Sequence, residues 1–142
     1  MSVKLSGVRK ARKRLPKSIY KTNRMLKRVE KKVKREERKR RVRAKISGTA
    51  LCPRISVFRS LKSLSAQAID DQTKKTLAHA KLADLGKNPK NTVASAQAVG
   101  SLLAEQLGKL KIGKAVFDRA GYRYHGKVKA VAEALREGGI HI

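Results

Sequence analysis

The chain has 142 residues, with 37 Lys+Arg against 10 Asp+Glu and a formal net charge of +27. That length holds one domain and little more, and a charge of that size repels itself unless an anionic partner neutralises it, with nucleic acid first and an anionic membrane surface second. No run of about 18 apolar residues is present to span a bilayer, the N-terminus lacks the apolar core of a secretory signal, and a single cysteine, Cys52, excludes an internal disulfide and fits a reducing compartment.

The charge is concentrated at the start. Residues 1–46 hold 21 Lys+Arg and 3 acids, and residues 47–142 hold 16 and 7. This predicts a basic nucleic-acid-binding arm over 1–47 and a globular domain over 48–142, divided at Ser47-Gly48-Thr49. In the arm, Pro16 suits a first helical position, and Ile19, Leu26, Val29 and Val33 recur at helical spacing. Glu30–Lys34, Glu36–Arg40 and Glu37–Arg41 are acid-before-base pairs four apart. Gly48 is the expected stop. So narrow an apolar stripe buries little alone, so the arm is expected to be disordered or only partly helical until a partner neutralises it.

In the domain, Arg54–Arg59 alternates apolar and polar residues. Ser65–Asp70 and Thr76–Leu82 flank a turn-rich connection and predict a hairpin. Thr92–Leu107 predicts a helix with Val93, Ala96, Gly100, Leu103 and Leu107 on one face. Asn88-Pro89 punctuates its approach and Asn91 can cap it. Ala115–Phe117 predicts a short strand, and Lys127–Glu137 a helix ended by Gly138-Gly139. The order βββαβα implies an α/β domain: a small mixed sheet with helices packed on it, preceded by a basic, partly helical N-terminal arm. The last strand is reached by a helical crossover and is expected to be parallel to its neighbour.

Phe117 to Lys129 is the most informative stretch. It reads as a strand end, a basic and aromatic loop, and a helix N-terminus, which suits a polyanion carrying stackable bases. Gly121-x-x-x-x-Gly126-Lys127 matches most of a phosphate-loop pattern, but Val128 stands where the Mg²⁺-binding hydroxyl belongs, and residues 122–125 are too bulky for a tight phosphate nest. Asp70, Asp71, Asp84 and Asp118 could form a metal-dependent nuclease cluster; turn and loop roles explain them more simply, with Asp118 pairing Arg119 or capping the loop. His79, His125 and His141 lack ligand spacing. No cofactor, metal or small-molecule substrate is expected.

Three blocks resemble the bacterial large-subunit ribosomal protein L-eighteen family, which binds 5S rRNA. They are Arg40 to Thr49; Pro53 to Ser60, followed by Ala66 to Asp71; and Phe117-Asp118-Arg119 through Tyr124-His125-Gly126-Lys127 to Gly139. The third is the most specific. Ala120 stands where many members have Gly. Leu61 and Leu64-Ser65 replace a pattern closer to Asn and Ile/Val-Tyr, which removes an aromatic ring from the first hairpin. Residues 1 to about 33 resemble an extension of the usual N-terminus, read as RNA-binding rather than cleaved.

The resemblance implies a non-catalytic constituent of the ribosome, in the cytoplasm or in an organelle matrix. It joins 5S rRNA to 23S rRNA in the central protuberance, beside the large-subunit protein L-five and other proteins there. On this reading Arg38, Arg40, Arg41, Arg43 and Lys45 contact phosphates. Arg54, Arg59 and Lys62 extend that surface. Arg119, Tyr122, Arg123, Tyr124, His125 and Lys127 add a second contact with stacking ability, and one of the two tyrosines can instead be core. The alternatives are a metal-dependent nuclease and a basic membrane-surface protein.

Overall fold

The computed structural model describes residues 17–86 and 89–142, with side chains from Asn23 onward; the expectations for Pro16, for the Ile19 side chain and for Asn88 lie outside the described residues. Lys17–Arg43 forms helix α1. Its Lys, Arg and Glu residues are strong helix formers. Arg40, Arg41 and Arg43 occupy the last turn, where cations oppose the negative end of the helix dipole. Glu36 pairs with Lys39 and Arg35 rather than with Arg40. Every side chain from Asn23 to Lys32 is exposed. Val33–Ile142 forms one compact unit.

The helix ends at Arg43, before the expected stop at Gly48. Gly48 has a different role. It is buried, and a Cβ there would collide with Arg54 N and Ile69 O. Its N–H donates to Asp71 Oδ2 (2.8 Å) and its carbonyl accepts from Asp71 N (3.1 Å). The connection is thus laid flat against the sheet.

Strands β1 (Arg54–Arg59), β2 (Leu64–Asp70), β3 (Lys75–Lys81) and β4 (Val116–Asp118) form one sheet in the order β3-β2-β1-β4. β1, β2 and β3 are antiparallel neighbours, and β4 is parallel to β1. Helix α2 (Val93–Lys109) supplies the crossover that a parallel pair needs, and α3 (Lys127–Glu137) follows β4. The observed βββαβα order agrees with the sequence reading, with three strands shifted by a residue at one or both ends. Thr92 caps α2, accepting from Ser95 N (3.2 Å). Asn91, expected in that role, instead donates to the carbonyls of Ser60, Leu61 and Ser63.

Period-two alternation sends Ile55 and Val57, Leu64, Ala66 and Ala68, and Ala78 and Ala80 to one face of the sheet. There they meet Ala96, Val99, Leu103 and Leu107 of α2 and Val128, Val131 and Leu135 of α3. Val93, expected on the packed face, is 50% exposed at the start of α2. The two helices pack closely because Gly100 lacks a Cβ, which would lie 2.7 Å from Ala134 Cβ. The opposite sheet face carries the more open Ser56, Gln67, His79 and Lys81.

Arg54 departs from its expected place on an outward surface. It is 6% exposed. Its guanidinium donates to both Asp71 oxygens (2.7 and 2.5 Å) and to Asp118 Oδ2 (3.0 Å). A buried charge needs such partners, because each unpaired ion costs several kcal/mol to desolvate. The Arg54 hydrogen bonds hold the Asp71 carboxyl at about 2, against an ordinary 3.8. The ionised form is the one stabilised, so this contribution is present above pH 4 and is lost as pH falls through about 2. The shift corresponds to about 2 kcal/mol. Asp71→Asn should lower the urea unfolding free energy at pH 7 by about that amount and flatten stability against pH between 4 and 2. An acid limb identical to wild type would assign it to other groups.

Candidate nucleic-acid interface

The last three turns of α1 rest on the loop that follows β4. Asp118 closes β4 with 0% exposure. Its Oδ2 accepts from Arg54 Nη1 and from Arg43 Nε (3.0 Å each), and its Oδ1 accepts from Ala120 N (2.8 Å). The loop-cap reading of Asp118 therefore holds, while its pairing with Arg119 does not. Arg119 donates to Tyr122 O (3.1 Å) instead.

Ala120 and Gly121 both adopt positive φ, 49° and 74°. This turns the chain so that Gly121 faces α1. A Cβ on Gly121 would strike the Arg35 carbonyl, so only glycine permits the approach. Arg38 Nε donates to Gly121 O (3.1 Å). The Tyr122 hydroxyl accepts from Arg35 Nη1 (2.9 Å) and from Arg59 N (3.3 Å), and donates to Arg59 O (2.9 Å). The Arg35 and Arg59 guanidinium carbons lie 4.9 and 5.3 Å from the ring centroid, within cation–π range. Tyr122 is half-buried and packs against the core.

Tyr124 is 43% exposed, set edge-on to Phe117 at 6.3 Å, and its hydroxyl accepts from Arg136 Nη1 (3.0 Å). Arg40, Arg41, Lys45, Arg59, Lys62, Arg123 and His125 are exposed, and Lys127 is half-buried at the start of α3. None of these six cationic side chains, nor His125, nor Lys127, has a carboxylate within ion-pair distance among the described residues. Arg38 and Arg43 remain largely exposed while bonded to the domain; Arg43 also reaches Ser56 Oγ (3.4 Å). The carboxylates considered for a nuclease are dispersed. Asp71 and Asp118 share Arg54, Asp70 accepts from Gln72 N and Thr73, and Asp84 accepts from Lys81 N. Among the described residues, no group of three His, Cys, Asp or Glu side chains is placed to hold a metal ion. No helix there is long and apolar enough to cross a membrane.

The sequence reading missed Arg35 and Ser56. Nothing in the local pattern distinguishes Arg35 from its basic neighbours, because its role depends on a loop 87 residues away.

The sequence profile of the family described as "Ribosomal L18 of archaea, bacteria, mitoch. and chloroplast" matches residues 29–142. The chain belongs to this family. It is 48% identical over 117 residues to large ribosomal subunit protein uL18 of Solibacter usitatus, a match covering 82% of this chain and 98% of the relative. The corresponding proteins of Exiguobacterium sibiricum and Pelotomaculum thermopropionicum are 50% and 52% identical, at the same coverage of each chain. This uL18-family chain is a structural constituent of the large ribosomal subunit, so rRNA is the polyanion its charge answers to. The profile begins at Val29, which leaves residues 1–28, with 11 Lys+Arg and no acid, beyond the matched region.

Gly121→Ala should cost at least about 2 kcal/mol, combining a left-handed backbone penalty with the collision at Arg35. Gly108→Ala, in α2 with nothing within 4 Å of the added Cβ, should be neutral or stabilising by about 0.5 kcal/mol. Denaturant unfolding of the two variants checks the contrast; equal effects would mean that the close approach at Gly121 contributes nothing.

Proposed function

We propose that this chain binds 5S rRNA and helps attach it to 23S rRNA in the central protuberance, beside the large-subunit protein L-five and other proteins of that region. The supporting observation is the set of exposed cations on α1, on β1 and its turn, and on the loop before α3 that have no carboxylate partner among the described residues. Such a set fits folded RNA, which is read largely through shape, phosphates and 2′-hydroxyls. Residues 1–47 act as the basic arm, whose Val33–Arg43 part is packed into the compact unit, and 48–142 as the globular RNA-binding domain.

The geometry suggests a division of labour. Arg40, Arg41 and Lys45 take phosphates directly. Arg38 and Arg43 contribute charge while also holding the helix to the domain. Arg54 acts from inside the fold. Of the two tyrosines, Tyr124 is the better placed to meet a base, with His125, Arg123 and Lys127 beside it. The role is non-catalytic. The choice of 5S rRNA rests on the resemblance carried by the Phe117–Gly139 block, and the arrangement of charge supports RNA more generally.

Mixing the full chain with total rRNA and sizing the captured RNA tests the reading. A 5S-sized species is expected; capture of 23S rRNA alone would overturn the assignment. Replacing Arg40, Arg41 and Lys45 together with Ala should reduce the slope of log K against log[salt] by about three. Tyr124→Ala should weaken binding by roughly 1–3 kcal/mol with the slope unchanged. A slope unaffected by the triple replacement would remove the helix from the interface.

A further inference from the structure

The turn between β1 and β2 and the start of α3 form a shallow groove of about 360 Å³, lined by Arg59, Ser60, Leu61 and Lys127. Its two cations have no carboxylate partner among the described residues. Arg59 is held at one side: its guanidinium lies over the Tyr122 ring, and its backbone N–H and carbonyl both bond the Tyr122 hydroxyl. The turn itself is fixed from both directions. Ser60 N donates to Ser63 O (2.8 Å), and Ser63 N to Ser60 Oγ (2.8 Å). From the far side, Asn91 Nδ2 donates to the carbonyls of Ser60 (3.2 Å), Leu61 (3.1 Å) and Ser63 (3.4 Å).

On this braced turn Leu61 is 97% exposed. A lone exposed leucine is ordinary. Here it forms one wall of a groove whose other functional groups are two unneutralised cations, and the turn carrying it is already ordered. Little backbone entropy is left to lose when a ligand packs on it. The groove therefore asks for a ligand that is anionic at one end and offers a flat apolar face at the other. A nucleotide has both. A base inside a duplex cannot present its face to a side chain, whereas a base in a loop or bulge can.

We propose that this groove holds one unpaired nucleotide of the bound RNA, with its phosphate between Arg59 and Lys127 and its base against Leu61. The inference rests on the RNA-binding reading above and adds to it a defined site with a single-nucleotide occupant.

The test uses the full chain and 5S rRNA, with Lys127→Gln and Leu61→Ser. Circular dichroism should match wild type for both, since Leu61 touches solvent and Lys127 is a first-turn residue. Lys127→Gln should weaken binding about tenfold at low salt and lower the salt slope by about one. Leu61→Ser should weaken it about fivefold with the slope unchanged, as loss of an apolar contact does. Backbone-flexibility probing of the RNA should show one nucleotide constrained in the wild-type complex and mobile again in both variants. Wild-type binding with neither variant altered overturns the groove alone. Variants that release different nucleotides also overturn it. Failure of the wild-type chain to bind 5S rRNA overturns the RNA reading and the groove with it.

Discussion

Asp118 has no contact with solvent, and a carboxyl group buried there needs hydrogen-bond and ion-pair partners around it. Two arginines meet it there, Arg54 from β1 and Arg43 from the end of α1, 64 and 75 residues away in sequence. The first ties β4 to β1 and, through Asp71, to the end of β2. The second fixes the end of the basic helix on the sheet. One buried negative charge thereby joins the domain's interior to its most basic segment. Breaking such a cluster from one side leaves an unpaired buried charge, which typically costs about 3–5 kcal/mol.

The loop after Asp118 completes this attachment by shape rather than charge. Ala120 and Gly121 bend the chain toward α1, Gly121 lets the helix backbone come into contact, and Tyr122 bridges Arg35 and Arg59. The arrangement uses some arginines as internal fasteners and leaves others outward, with no acidic partner among the described residues. Repulsion among the outward set is sustained by the packing beneath it, and an anionic partner there would relieve that repulsion. Ordering Val33–Arg43 within the protein lowers the conformational entropy that a partner binding there would have to remove.

Much of the fold was legible because its elements carry local signals. Arg54–Arg59 alternates, Lys127–Glu137 is bounded by Gly126 and Gly138-Gly139, and α2 has a one-sided apolar face. The parallel placement of β4 followed from the need for a crossover. The interface was less legible, because the sequence does not separate an arginine that faces solvent from one that closes a buried charge cluster. Arg54 read as a surface cation in an alternating strand, and only its pairing with Asp71 and Asp118 turns it inward. Tyr122 and Tyr124 were equivalent by pattern; the positive φ at 120 and 121 is what sends one to the core and leaves the other exposed. Ala120 adopts a positive φ that glycine would reach without strain.

Val33–Arg43 is a preformed edge of the domain rather than a tail that folds on RNA. Amide hydrogen exchange over these residues, measured in the free protein and again with 5S rRNA bound, tests it most directly. Strong protection is expected in the free protein, with little further gain in the complex. Exchange at unfolded-chain rates in the free protein, with protection arising only when RNA is added, would contradict it.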